Sequence, residues 1–432
     1  MSVTTIVGLQ WGDEGKGRVS HFVSNNAICI RSTGGNNAGH TVVVNGKKYV
    51  LHLLPSSIIK PGTFNIIAPG VVVDLEVLCG EIRQLQDAGI SITTHNLCIS
   101  PRAHIIMPYH IELDKLHEIM KGANKVGTTL RGIGPCYADK INRIGFQMNE
   151  LVNSPASTLL QKLNQVLHVH NQQLSSAESD LKNFQAKSIL KDYLLKNKDF
   201  LKPFVSDEHS IIFQALKRND KIVLEGAQSI FLDIDQGDYP FVTSSSPSAS
   251  GTLAGAGIGP SYSTDVYGVM KAYCSRVGEG PFNTEQDNEV GELIRKLGHE
   301  YGSTTNRPRR CGWLDLVRLH HAVKVNGVTA LCLNHLDTIG KVGQELGYIN
   351  VCISYRHKHN PCQVVSSYVP INSADYLPCY KVFKGGWDTT GCTTYESLPD
   401  SAKEYIKFIE KYSGAHVKFI GIGPDEKDTI IR

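Results

Sequence analysis

The chain has 432 residues, 41% of them hydrophobic and 20% charged, with a formal net charge of +3. This is a globular composition, long enough for one large domain or two to three ordinary ones. So weak a charge excludes a general nucleic-acid or membrane surface, and no run approaches the roughly 20 apolar residues of a membrane span.

Taken in order, "TTIVGL" and "AICIRS" read as buried strands with a helix from about Gly15 to Asn25 between them, the usual start of a parallel α/β sheet. The runs "NIIAPGVVV", "KIVLEGA", "VYGVMKAY", "GVTALCLN" and "VKFIGIG" have the same buried character. We therefore expect an α/β fold with a mostly parallel central sheet flanked by helices. Leu159, Leu160, Leu163, Val166 and Leu167 recur at helical spacing, and "LKNFQAKSILKDYLLKN" behaves similarly. With no Pro/Ser-rich linker around it, this stretch reads as a helix-rich insertion, approximately residues 105–215, in one large domain spanning 1–432. His320 and His321 continue a helical pattern. "ISYRHKHNPCQVVSSYV" (353–369) reads as two strands joined by a polar turn, a setting that disfavours a metal at His357, His359 and Cys362. Eleven cysteines without a CxxC pair, and an N-terminus lacking a targeting signature, point to reduced thiols and a soluble cytoplasmic protein.

The stretch "GLQWGDEGKG" follows a strand and opens a helix, where backbone N–H groups and the helix dipole favour an anion. Lys16 adds a charge suited to a terminal phosphate. The match to an ordinary phosphate-binding loop is imperfect, because Gly17 stands where a Ser or Thr would hold magnesium. Asp13 is the nearest replacement, and a carboxylate facing phosphates needs either a cation or a substrate proton. Glu14 could be simple compensation of the helix dipole. A second cluster, "RSTGGNNAGHT", offers Gly34, Gly35 and Gly39 for close backbone approach and Asn36, Asn37 and His40 for polar contacts.

Together "QWGDEGKG", "GGNNAGHT", "GTTLRGIGPCYADK", "EGAQSIFLDIDQGDYPFVTSS", "RVGEGPFNTE" and "GWLD" resemble the adenylosuccinate synthetase family, in order, from residue 5 to about 430. The resemblance implies a GTP-dependent ligase that joins IMP and L-aspartate through 6-phosphoryl-IMP, in AMP biosynthesis. It implies Asp13 as the base at hypoxanthine N1, His40 as proton donor, and magnesium held by Asp13 and the Gly39 carbonyl. It assigns IMP to Asp13, Lys16, Asn37, His40, Thr129, Arg143, Gln228, Thr243 and Arg307, with Arg143 reaching the partner's site in a homodimer. Aspartate falls to Ser303, Thr304, Thr305, Arg307 and Arg309, on a mobile loop of approximately residues 300–312; the two arginines suit a dicarboxylate. GTP falls to Gly12, Glu14, Gly15, Lys16, Gly17, Arg18, Gly39, His40, Thr41, Arg309, His335, Leu336, Asp337, Gly421, Ile422 and Gly423.

The chain departs from the family's pattern at "CLNHLDTIG", where His335 replaces a lysine beside the retained Asp337. Arg18, Leu130, Pro308 and Gly421 are further departures. They leave open a relative with shifted nucleotide choice, and a nucleotide-binding protein that no longer catalyses.

Overall fold

The computed structural model describes residues 2–175, 183–302 and 307–432. Its centre is a nine-stranded sheet. From one edge to the other run Thr429–Ile431, His416–Gly421, Ala330–Asn334, Ser263–Lys271, Ser2–Gly8, Lys221–Glu225, Ile28–Arg31, Phe64–Ile67 and Leu97–Ile99. Every neighbouring pair is parallel except the terminal hairpin, where Ile420 faces Ile430. The first strand is in the middle, with Ile6 opposite Tyr267 on one side and Glu225 on the other. Val3, Ile6 and Val7 are fully buried, as expected for a parallel strand covered on both faces, and this explains its unbroken apolar run.

The expected helix after the first strand forms over Lys16–Val23, with Gly15 as its left-handed N-cap. The expected strand at 65–73 is two. Phe64–Ile67 stays in the main sheet, whereas Val72–Val73 pairs with His104–Ile105 elsewhere. Pro69 lies between them, and a β-carbon on Gly70 would sit 2.0 Å from the Ser32 carbonyl oxygen. This close backbone crossing ends the strand.

Between residues 108 and 218 the described chain is mostly helical, including Pro108–Lys121, Ile133–Asn142, Ala156–Ser175 and Glu208–Arg218. Leu159, Leu163, Val166 and Leu167 are buried, and they join a hydrophobic cluster that reaches the sheet edge through Ile67, Leu97 and Ile99. "LKNFQAKSILKDYLLKN" lies partly outside the described residues, and helix begins there only at Ala186. His320 and His321 lie on the helix Leu316–Asn326. The turn region at 353–369 does join antiparallel strands, Tyr348–His357 and Val364–Val365. An unanticipated third strand, Tyr376–Lys384, pairs along the whole of the first. Ten of the eleven cysteines are buried or half-buried, only Cys362 is exposed, and all are free.

Candidate functional site

In a parallel sheet ligands bind beyond the carboxyl ends of the strands. Here the parallel strands Ser2–Gly8, Ile28–Arg31, Lys221–Glu225, Ser263–Lys271, Ala330–Asn334 and His416–Gly421 all end at the same edge of the sheet.

The glycine loop turns sharply there: Gly12, Asp13 and Gly15 have φ of 96°, 59° and 93°. Asp13 is held in a backbone region that non-glycine residues seldom visit, a feature that concentrates at functional sites. Glu14 does not act as simple dipole compensation. Its fully buried carboxylate accepts from the amides of Gly12 (2.8 Å) and Gln10 (3.2 Å) and from the Ser229 hydroxyl, and pairs with Lys16 Nζ at 2.6 Å. Burial alone would raise the Glu14 pKa; Lys16 and these donors outweigh it and hold it below the usual carboxylate range. The helix packs closely enough that a β-carbon on Gly17 would lie 2.8 Å from the His40 Cβ. The position therefore cannot carry the Ser or Thr of an ordinary phosphate loop.

His40 begins the strand His40–Val44 and is 7% exposed. Its Nδ1 is 2.5 Å from Glu225 Oε1. Glu225 also takes the amide of Ser56 (2.9 Å), its hydroxyl (3.0 Å), and Arg31 (3.3 Å). Burial by itself would raise Glu225, but His40 and Arg31 reverse that and hold it at about 2. Burial and then Arg31 push His40 below its ordinary value despite Glu225. The imidazole is thus neutral at neutral pH, donating Nδ1–H to a fixed carboxylate and leaving Nε2 for a ligand.

A second chain of contacts starts from Asp13. Asp13 Oδ2 pairs with Arg309 Nη2 at 2.8 Å, and Arg309 Nη1 pairs with Glu300 Oε2 at 2.6 Å. Glu300 is buried against Lys271 Nζ (2.6 Å) and accepts from the Tyr273 hydroxyl at 2.5 Å. That hydroxyl lies 3.3 Å from His335 Nδ1. Burial, then Lys271, lower His335 to about 4, so it is an uncharged ring at neutral pH.

The residues expected at IMP are brought together in part. Gln228 Nε2 donates to Asn37 Oδ1 at 3.1 Å, and the Thr243 amide is held by the Leu232 carbonyl (2.8 Å). Thr129 is exposed at the end of a loop whose Val126, Gly127 and Thr128 amides bond to Glu118. Gly127 lies beside the half-exposed Arg307, whose guanidinium is 3.7 Å from Glu279. Arg143 caps the helix Ile133–Asn142 in the left-handed region and is exposed. Ser303, Thr304 and Thr305 lie outside the described residues.

At the far end, Asp337 is half-buried, and burial raises its pKa. Leu336 is fully buried in the core, with its carbonyl taken by the Trp387 indole. Arg18 reaches the Gly423 carbonyl at 2.7 Å, and Gly421 and Ile422 complete that turn. Gly39 and Thr41 flank His40 and are half-buried.

Sequence reasoning missed Glu225, Arg31, Asn334 and the buried group of Lys271, Tyr273 and Glu300. Asn334 donates to the Glu14 carbonyl at 2.7 Å, tying the end of the strand Ala330–Asn334 to the glycine loop. Its signal was its place as first residue of "NHLD"; that of Glu225 was its place at the end of a predicted strand. Among the described residues no group of three or more His, Cys, Asp or Glu could hold a metal. Asp13, exposed and free of loop-amide contacts, fits a hard divalent cation that takes most of its oxygen ligands from water and phosphates.

A family model described as adenylosuccinate synthetase matches residues 5–430. The chain is 46% identical to the adenylosuccinate synthetase of Acetivibrio thermocellus, covering 100% of both chains. It is 44% identical to that of Heliobacterium modesticaldum, covering 100% of this chain and 99% of the other. Among solved structures, fully ligated adenylosuccinate synthetase from Plasmodium falciparum superimposes with a TM-score of 0.91 at 35% identity, covering 100% of both chains. The cyanophage S-2L succinoaminodeoxyadenylate synthetase shares the fold alone, with a TM-score of 0.61 at 19% identity over 100% of this chain and 95% of that one.

Proposed function

From its place in the adenylosuccinate synthetase family, to which the chain belongs, we infer how its own residues carry out the family's reaction. The chain ligates IMP and L-aspartate to adenylosuccinate with hydrolysis of GTP to GDP and phosphate, in AMP biosynthesis. The observation that carries our assignment of roles is the Asp13–Arg309 pair, which sets a carboxylate of the phosphate loop against an arginine of the expected aspartate loop.

In our reading Asp13 takes the proton from N1 of hypoxanthine, and the charge released onto O6 attacks the γ-phosphorus of GTP. The bond from that phosphorus to the β–γ bridging oxygen breaks, and GDP leaves. Lys16 and the loop amides hold the phosphates. His40, oriented by Glu225, places Nε2 at the transferring group and acts there as proton donor once anionic phosphate has raised its basicity. The amino group of aspartate then attacks C6 of 6-phosphoryl-IMP, the C6–O6 bond breaks, and phosphate departs. Arg307 and Arg309 bind the two carboxylates of aspartate, with Ser303, Thr304 and Thr305 beside them. Asn37, Thr129, Gln228 and Thr243 hold IMP. Asp337 accepts from guanine while His335 packs on the ring. The family uses a divalent metal; we assign it as magnesium held by Asp13 and the Gly39 carbonyl, where it supplies charge neutralisation on the phosphates.

We further propose a homodimer. Ile141 is 75% exposed and Met120 74%, on the same helical region as the outward-facing Arg143. A second copy would cover them and receive Arg143. No helix among the described residues is long and apolar enough to cross a membrane, in keeping with the cytoplasmic location we propose.

The test is an absorbance assay near 280 nm with IMP, aspartate and magnesium, run with GTP and with ATP. Turnover with GTP alone is expected. Turnover with ATP would favour shifted nucleotide choice, for which the neutral His335 is the motive, and silence with both would overturn the assignment of roles.

A further inference from the structure

Position 421 is a glycine whose φ is not in the left-handed region, so no backbone requirement explains it. Space does. A β-carbon there would lie 2.7 Å from Arg18 Nη1 and 2.5 Å from Asn334 Oδ1. Neither neighbour is free to retreat. Arg18 Nη1 donates to the Gly423 carbonyl and Nη2 to the Thr429 hydroxyl, each at 2.7 Å. The Asn334 amide is committed to the Glu14 carbonyl of the phosphate loop.

We propose that Arg18 and Gly421 act as a matched pair that sets nucleotide affinity in this chain, with Arg18 latching the C-terminal turn 421–429 over the base end of the site. This deepens the nucleotide-site reading above and rests on it. Arg18 leaves the first turn of the helix after the phosphate loop, so one side chain links the phosphate end to the base end. Its planar fork serves two acceptors at once, as the single ammonium of a lysine held in one place does not. The acidic groups it faces are Asp337, Asp425, Glu426 and Asp428. The uncharged His335 contributes no compensating charge there, so Arg18 and Lys341 are the cations that act on Asp337. Removing the latch frees the turn and leaves Asp337 among like charges.

The experiment is a double-mutant cycle read as KM for GTP, IMP and aspartate, kcat, and Tm. Gly421→Ser displaces the guanidinium and is expected to raise KM for GTP about tenfold, with KM for IMP and aspartate within about twofold. Arg18→Lys is expected to raise KM for GTP about fivefold. In the double variant the shorter side chain relieves the contact at position 18 while that with Asn334 Oδ1 remains, so KM for GTP is expected to rise by clearly less than the product of the two single effects. Tm is expected to change little in all three. Thr429→Val removes one latch acceptor without crowding Gly421 and should raise KM for GTP about threefold, which keeps the test open if Gly421→Ser does not fold. Multiplicative effects in the double variant, or an unchanged KM for GTP in Thr429→Val, would overturn the pairing. Effects on KM for IMP or aspartate alone would instead overturn the placing of the nucleotide's base at this end.

Discussion

Arg309 holds Asp13 and Glu300 at once, 2.8 Å from one and 2.6 Å from the other. The carboxylate we assign as the base is therefore tied, before any substrate arrives, to a residue assigned to aspartate recognition. Burial disfavours the Arg309 charge, but Asp13 and Glu300 outweigh it and raise its pKa. Asp13→Ala should lower kcat by about a thousandfold or more, in the range of a lost general base, while GDP affinity titrated without magnesium stays within a few fold. Direct titration beside the steady-state assay checks this. A hundredfold loss of GDP affinity with residual turnover would show that Asp13 binds rather than reacts.

Glu225 is fully buried and committed to His40, Arg31 and Ser56, so we assign it as a positioning residue. Glu225→Gln preserves the shape but removes the charge that fixes the imidazole. We expect kcat to fall about tenfold to a hundredfold with KM values nearly unchanged, as for other partners that orient a functional histidine. Because Nδ1 loses its acceptor charge, His40 becomes still harder to protonate, and the alkaline limb of the kcat profile should move to lower pH. Parallel changes in every KM would instead mark a general loosening of the site.

His335 is held neutral, with a folded-state value of about 4 against an ordinary one near 6.5. As pH falls through the ordinary value, the unfolded chain takes up a proton that the folded chain refuses, so stability is lost between those two values and is complete above them. A shift of this size corresponds to about 3 kcal/mol. His335→Gln should keep more of its neutral-pH Tm at about pH 5 than the parent chain does; equal losses in the two proteins would contradict the buried neutral ring.

Arg143 is exposed at the end of the helix Ile133–Asn142, and we assign it to the partner subunit's site. Arg143→Leu and Asp13→Ala should each be inactive or nearly so, yet mixed and re-equilibrated they should recover about a quarter of parental activity. Half of the randomly paired dimers would be mixed, each with one intact site. No recovery after verified subunit exchange would assign Arg143 to a surface role.

Local physics made much of this protein legible from its sequence. The alternation of buried strands and helices, the anion-binding turn at Gly12–Lys16, and the pairing of Asp13 with a phosphate loop all depend on residues close together in the chain. The break at Pro69–Gly70 was missed because it is set by Ser32 and Gly255, backbone far away in sequence that crosses within contact distance. The third strand Tyr376–Lys384 was missed for a related reason: only partly buried, it lacks the apolar run that marks a buried strand.

The same division holds in the site. Resemblance of the ordered motifs to a known family pointed to the reaction, and the glycine-rich loops singled out Asp13, Lys16 and His40. Only the tertiary structure decided what surrounds them. Glu225 lies 185 residues from His40 along the chain, and Asn334 lies 320 residues from Glu14. Such contacts leave no local pattern, because the parallel sheet gathers the carboxyl ends of strands that the sequence keeps far apart. Whether Glu14 is solvated or buried against Lys16, whether His335 is charged, and why position 421 must be glycine are likewise questions of burial and space. A sequence supplies those groups; packing fixes their charge and the room around them.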